Sequence, residues 1–245
     1  MDILIFFISF VASFIFALGG VGAAIILIPI LVSLGIPVNT AKPVGLFYNT
    51  VSLTGASINN FKNKRLDIKT GIPIIISSFL FAIAGAYVSK FIPNRIILLM
   101  FIAFLIFSGL MFLFHNKKEK EEYVNNAPRI KLILIGTLAG TLSGMLGIGG
   151  GGIISPLMLM IGFNPKKIAA ITAFVVPFSS FSAFLTYWAT GSINWHILLI
   201  ASVAGVAGAT TGTMFMQNKM KTKTVKKVLA VILLIMAIKL IIKAL

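Results

Sequence analysis

The sequence predicts an all-α polytopic membrane protein. Two inverted repeats make it up, each a glycine-broken pair of short helices followed by three full transmembrane helices. Three observations lead there: an extreme composition, a self-similarity at one fixed shift, and a lopsided distribution of basic residues among the loops.

Composition comes first. At 58% hydrophobic and 11% charged residues, the chain lies far from a soluble domain, where charged residues make up about 25%. Five acidic residues among 245 could not solubilise a globule of this size. There is no cysteine, which removes disulfides, thiolate metal sites and cysteine nucleophiles. Residues 3–18 have the apolar character of a signal peptide, but the charge before them is Asp2. A secretory signal needs a basic leading region, so the expectation is a retained helix.

The self-similarity is centred on Gly147–Pro156, "GIGGGGIISP", and its partner Gly20–Pro29, "GVGAAIILIP". A shift of 127 residues superimposes Gly20 on Gly147, Gly22 on Gly149, Pro29 on Pro156, Gly35 on Gly162, Phe47 on Phe174, Ser52 on Ser179 and Gly85 on Gly212 without a gap. From 20 to 85 there are ten identities in 66 positions. The weight lies in which residues match, because those that set backbone geometry recur in register.

Taken in order, the apolar stretches at 3–18 and 20–36 flank the first glycine break. Each would make a helix of roughly 24 Å, short of a hydrocarbon core of about 30 Å. Spans follow at 41–59, 68–90 and 95–114. The polar run 115–130, "HNKKEKEEYVNNAPRI", separates a first transmembrane repeat (1–114) from a second (131–245). The second repeats the scheme at 131–146 and 149–162, then 167–189, 195–217 and 225–244. That makes ten helical pieces, or eight if each short pair counts as one.

Charge orients the halves. If each short pair enters and leaves on one side, the loops at 59–69, 115–131, 163–167 and 217–227 share a face. That face then carries sixteen of the 21 Lys and Arg residues, against Lys42, Lys90, Arg95 and Lys243 opposite and Lys239 deeper in the last helix. If each pair crossed once, the basic residues would divide almost evenly. Cytoplasmic loops are the basic ones, so the hairpin arrangement is favoured, with the N-terminus outside the cell membrane. The net charge of +16 is therefore read as topological. The basic residues sit in short loops without interleaved aromatics, and no nucleic-acid partner is expected.

The acids are Asp2, Asp67, Glu119, Glu121 and Glu122, none within the apolar spans. Cation carriers commonly hold carboxylates at membrane depth, so a cation substrate is disfavoured. Two isolated histidines make no metal site. His196, beside Trp195, reads as an interfacial anchor rather than a proton carrier, and His115 as solvated. A helix broken at membrane depth leaves backbone groups unpaired, which is tolerable where they line a cavity or bind a ligand. The helix after each break points a partially positive N-terminus at that place. Two such ends approaching the midplane suit a small anion. The expected substrate-binding set is Gly20, Gly22, Gly147, Gly149, Gly150 and Gly151, completed by Asn49, Ser52, Thr172 and Ser179. The wider group of polar side chains on the following spans includes Thr50, Thr54, Ser180 and Ser182. Close helix packing by small residues is the competing explanation of the glycines, and hydroxyls that bond back to their own helix the competing one for the serines and threonines. No Lys-Ser or Lys-Thr follows the glycine run, so it is not a nucleotide loop.

The segments "LGGVGAAIILIPIL" and "GMLGIGGGGIISPLML", with "GSINWH" and its counterpart "RLDIK", resemble the sulfite exporter TauE/SafE family of membrane transporters over nearly the whole chain. The resemblance implies a multi-spanning protein that moves sulfur oxyanions or small organosulfonates such as sulfite or sulfoacetate. The first cluster departs from the pattern, with Ala23 and Ala24 where the second has Gly150 and Gly151. The expected function is secondary transport, as an exporter, by alternating access. No enzymatic activity and no cofactor are expected; the partners are a small anion and the lipid bilayer, and a homo-oligomer is left open. The competing function is a non-transporting membrane scaffold or assembly protein.

Overall fold

The computed structural model describes residues 2–89, 91–114, 127–189 and 193–244. Lys90, His115, Lys117, Lys118 and Lys120, and with them most of the 115–130 linker, lie outside the described residues. The described residues form ten helices: α1 Asp2–Ala17, α2 Ala24–Ser33, α3 Val38–Lys62, α4 Ile68–Val88, α5 Asn94–Phe114, α6 Arg129–Leu146, α7 Gly151–Met160, α8 Pro165–Trp188, α9 Trp195–Lys219 and α10 Thr222–Ala244. No strand occurs among the described residues. Among the described residues α4, α6, α8 and α9 are each long and apolar enough to cross a membrane, and the chain is a multi-pass membrane protein. One boundary differs from expectation. The apolar run 131–146 looked short, yet α6 has 18 residues, because the helix starts directly after Pro128 and takes in Arg129 and Ile130 as well.

Local chemistry fixes the helix ends. Asp67 accepts from the Thr70 amide at 3.1 Å, and Asn194, 127 residues later, accepts from the Ile197 amide at 3.1 Å. These are side-chain caps that satisfy orphan amides of α4 and α9. Glycines in the left-handed region also recur at that spacing: Gly20 and Gly147 (φ 66° and 74°), Gly22 and Gly149 (83° and 79°), Gly35 and Gly162 (88° and 94°). Behind Gly35 and Gly162, the amides of Ile36 and Phe163 bond back to Leu31 and Met158 at 3.1 and 3.2 Å, closing α2 and α7 in the same way.

Packing follows the spacing too. On α6, Gly136, Gly140 and Gly144 lie against Ile74, Ser78 and Ala82 of α4; the contacts advance in step, so these helices run parallel. Gly208 and Gly212 of α9 meet Phe10 and Phe14 of α1, again in parallel. Small residues at four-residue spacing let the backbones approach closely where lipid supplies no hydrophobic drive. α3 and α8 cross at the centre, where Thr50 Oγ1 donates to the Pro177 carbonyl at 3.4 Å. α5 lies along α10.

Polar contacts sort the loops to two ends of the bundle. One end gathers Asp67 with Lys167 (2.8 Å), Arg65 with Asn218 (2.8 Å), and Lys166 with the Gln217 carbonyl (3.0 Å). The other gathers Asp2 with His196 (3.0 Å), Trp188 with Trp195 (5.9 Å between ring centres), and the Gly35–Pro37 turn beside Asn194. α1 begins and α2 finishes at the second end. α6 begins at the first, where Arg129 shares a groove with Lys69. α7 finishes there too, with Phe163 under Lys167 at 5.3 Å. Each short pair therefore returns to the end from which it entered.

Candidate functional site

The two glycine breaks meet at the middle of α3. Asn49, fully buried, accepts from the Ala24 amide through Oδ1 at 2.9 Å and donates through Nδ2 to the Ile148 carbonyl at 2.9 Å. One side chain thus satisfies the first amide of α2 and a carbonyl of the opposite break, both orphaned by helix termination. Gly22 and Gly149 make room for it. A Cβ on Gly22 would fall 2.9 Å from Asn49 Nδ2, and one on Gly149 would fall 2.5 Å from Nδ2 and 2.8 Å from Ser180 Oγ. Both glycines have positive φ, so a side chain there is excluded by backbone conformation and by space.

The expected site residues separate into three groups. Gly22, Gly149 and Asn49 are brought together as described. Gly20 packs on the backbone of Ala169, Gly151 on the Val21 carbonyl, and Gly147 on the stem of Lys42, with a Cβ 3.1 Å from Lys42 Cγ. Gly150, by contrast, has ordinary clearance of 3.5–3.6 Å to Ile154 and Ala139. The three hydroxyls are turned to their own helices. Ser52 bonds to the Asn49 carbonyl at 3.4 Å, Ser179 to Val176 at 3.1 Å, and Thr172 to Ile168.

Two further residues lie against the second glycine break. Ser180 is fully buried, touches the space at Gly149, and its Oγ has no hydrogen-bond partner among the described residues. It corresponds to Leu53 under the 127-residue shift, so matching identities passed over it; its membership of the polar group on α8 was the available signal. Lys42 falls not in a loop but within the first turns of α3. Its stem lies on Gly147 and its ammonium stands 5.2 Å from the centre of the Tyr187 ring, a cation–π distance. Tyr187 in turn donates to the Gly144 carbonyl at 2.9 Å, tying α8 to the last turn of α6. Lys42 corresponds to Ala169, so this cation has no counterpart at the first break. No signal but its position before "PVGLFYN" distinguished it from a loop lysine.

Chemically, the region offers an amide donor on Asn49, a hydroxyl on Ser180 without a hydrogen-bond partner among the described residues, the amide-bearing N-terminus of α7, and the Lys42 cation beside Gly147. Every one of these stabilises negative charge. No cluster of three His, Cys, Asp or Glu occurs among the described residues.

The chain is similar to proteins described as membrane transporters. The chain is 26% identical over 257 residues to the "Probable membrane transporter protein YunE" of Bacillus subtilis, covering 94% of each. It is 30% identical over 193 residues to a "Probable membrane transporter protein" of Methanocaldococcus jannaschii, covering 75% of this chain and 71% of that one. A stretch of 90 residues, 37% of this chain and 21% of the other, is 39% identical to "Sulfite exporter TauE/SafE family protein 6" of Arabidopsis thaliana. The family model described as sulfite exporter TauE/SafE matches residues 5–240, and the chain belongs to that family of membrane transporters.

Proposed function

We propose that this protein exports small anions, most readily sulfur oxyanions or short organosulfonates such as sulfite or sulfoacetate. The observation that carries the reading is the meeting of two opposed glycine breaks at Asn49. A broken helix at membrane depth is stable only where its backbone groups find partners or line a ligand site. Here one partner is a neutral amide and the adjacent hydroxyl of Ser180 is free. The negative charge of the substrate is supported by Lys42 beside Gly147 and by the two acids among the described residues, Asp2 and Asp67, which stand at helix starts. Sulfur as the central atom rests on family membership; the polar groups themselves suit several oxyanions.

The two halves act as inverted repeats. This is supported by the shared 127-residue register of caps, turns and helix starts, and by hairpins that return to opposite ends. Alternating access then consists of one hairpin and its supporting helices rocking against the other around Asn49. The end bearing Arg65, Lys166 and Lys219 faces the cytoplasm and the Asp2 end faces outward, a reading supported by the distribution of basic residues.

Reconstituted protein loaded with a panel of labelled sulfite, sulfoacetate, sulfate, a monocarboxylate and a divalent metal cation tests this directly. Efflux of the sulfur anions above protein-free vesicles is expected. Efflux of the carboxylate alone would remove the sulfur assignment. Efflux of the cation alone would remove the anion reading. No flux of any solute would favour a scaffold.

A further inference from the structure

We propose that the groove between α4 and α6 holds one anionic phospholipid, its headgroup between Lys69 and Arg129. The groove has a volume of about 820 Å³, with both cations at one end and Ile76, Leu80, Phe81 and Ile133 along its walls. Its shape has a cause. α4 and α6 touch through Gly136, Gly140 and Gly144, so their backbones approach closely and the large side chains on either flank stand out as walls. From Lys69 to Leu80 the helix rises about 16 Å, close to half of a hydrocarbon core of about 30 Å. A headgroup at the cations therefore places its acyl chain along one leaflet's depth. Ile76 and Leu80 are more than half exposed, at 57% and 58%.

The charge argument comes from the parallel pair α1 and α9. Under the 127-residue shift, Lys69 corresponds to His196 and Arg129 to Asp2. In α1 and α9 those two positions pair with each other at 3.0 Å. In α4 and α6 the same two positions are both cations, neither has an ion pair among the described residues, and each repels the other. An anion resolves that repulsion, and the apolar walls select one carrying a chain. Basic pockets between transmembrane helices at the cytoplasmic level bind anionic lipid headgroups for this reason.

The test is native mass spectrometry of purified protein offered equal amounts of phosphatidylglycerol and phosphatidylcholine. Wild type retains one phosphatidylglycerol in clear preference. K69Q/R129Q loses that preference by about tenfold, whereas K62Q/K221Q, which removes two exposed cations of the same end outside the groove, keeps it. Leu80→Trp, which narrows the groove without touching charge, also lowers retention. Melting temperatures in phosphatidylcholine micelles stay alike across the set. The proposal is overturned if K69Q/R129Q retains the lipid as wild type does, or if K62Q/K221Q loses it equally, which would mean diffuse surface charge. Displacement by millimolar inorganic phosphate would mean a soluble anion. A wild-type dimer that K69Q/R129Q makes monomeric would mean that a second copy covers the groove. Because binding is read without flux, the result is independent of the transport reading.

Discussion

Asn49 Nδ2 donates to the carbonyl of Ile148, 99 residues away, over 2.9 Å in a fully buried setting. The same side chain holds Ala24 of the other break, and the position related to it by the repeat is Val176, which can do neither. The two halves are thus unequal at their shared centre, although their turns and caps match.

Replacing Asn49 by Leu leaves the Ala24 amide and the Ile148 carbonyl without partners. Losing buried hydrogen bonds in this way costs about 2 kcal/mol or more, so the melting temperature in detergent is expected to fall by roughly 5 °C, and efflux by about tenfold or more. Asn49→Leu with wild-type melting and flux would show that the two bonds contribute neither to stability nor to the site.

The glycine run makes a sharper test, because neighbours differ. Gly150→Ala meets only ordinary contacts at 3.5–3.6 Å and restores the residue that stands at Ala23, so expression and efflux stay near wild type. Gly149→Ala drives a methyl onto Asn49 and Ser180 from a left-handed backbone and is expected to abolish efflux. Equal effects of the two substitutions in an efflux assay would contradict the geometry.

Lys42→Gln removes the cation beside Gly147 while keeping a stem of similar shape. The half-saturating concentration of a sulfonate is expected to rise several-fold, with a smaller change in maximal rate, because a partly desolvated cation contributes to anion binding rather than to the motion. An unchanged half-saturation would confine Lys42 to packing on Gly147 and Tyr187.

The tie between α8 and the α3–α4 loop gives a pH dependence. Burial pushes the Asp67 carboxyl upward, but hydrogen bonds from Lys167 and Thr70 outweigh it and hold the group below the ordinary carboxylate range. A carboxyl depressed in the folded state contributes stability that is complete above its unfolded value of about 3.9. That stability is lost as pH falls through the folded value. Wild type should therefore lose melting temperature between pH 5 and 2 more steeply than Asp67→Asn. Parallel curves would show that the ion pair, 2.8 Å long and part-exposed, is stabilising in neither form.

Most of the architecture was legible because it is written in residues that set backbone geometry. Gly20, Gly22, Gly35 and their counterparts sit where a left-handed turn is needed, and Asp67 and Asn194 sit where a helix begins. Such residues act locally, so a single shift exposes them. The site was less legible because its specific side chains are where the repeat is broken. Asn49 stood out as a polar residue in an apolar span, but nothing showed that it would reach Ile148. Ser52 and Ser179 matched in register and invited attention, yet they bond to their own helices, as hydroxyls in apolar helices commonly do. Ser180, one residue further, lies about 100° round the helix and faces the break. Which of two adjacent serines faces a partner depends on how α8 is rotated, and that is settled by packing across the α3–α8 crossing rather than by local sequence.

An anion held beside Ser180, where we propose that the two breaks form the site, would shield that side chain. The chain has no native cysteine, so Ser180→Cys, buried in this conformation and reached when alternating access opens the two hairpins, can be modified in reconstituted protein by a small, negatively charged thiol reagent and the rate followed with and without sulfoacetate. Saturating sulfoacetate is expected to slow the modification by about tenfold, while Lys221→Cys, exposed outside the site, reacts at one rate throughout. Modification of Ser180→Cys at an unchanged rate, in protein that still exports sulfoacetate, would place the anion elsewhere and rule out a site at the meeting of the two breaks.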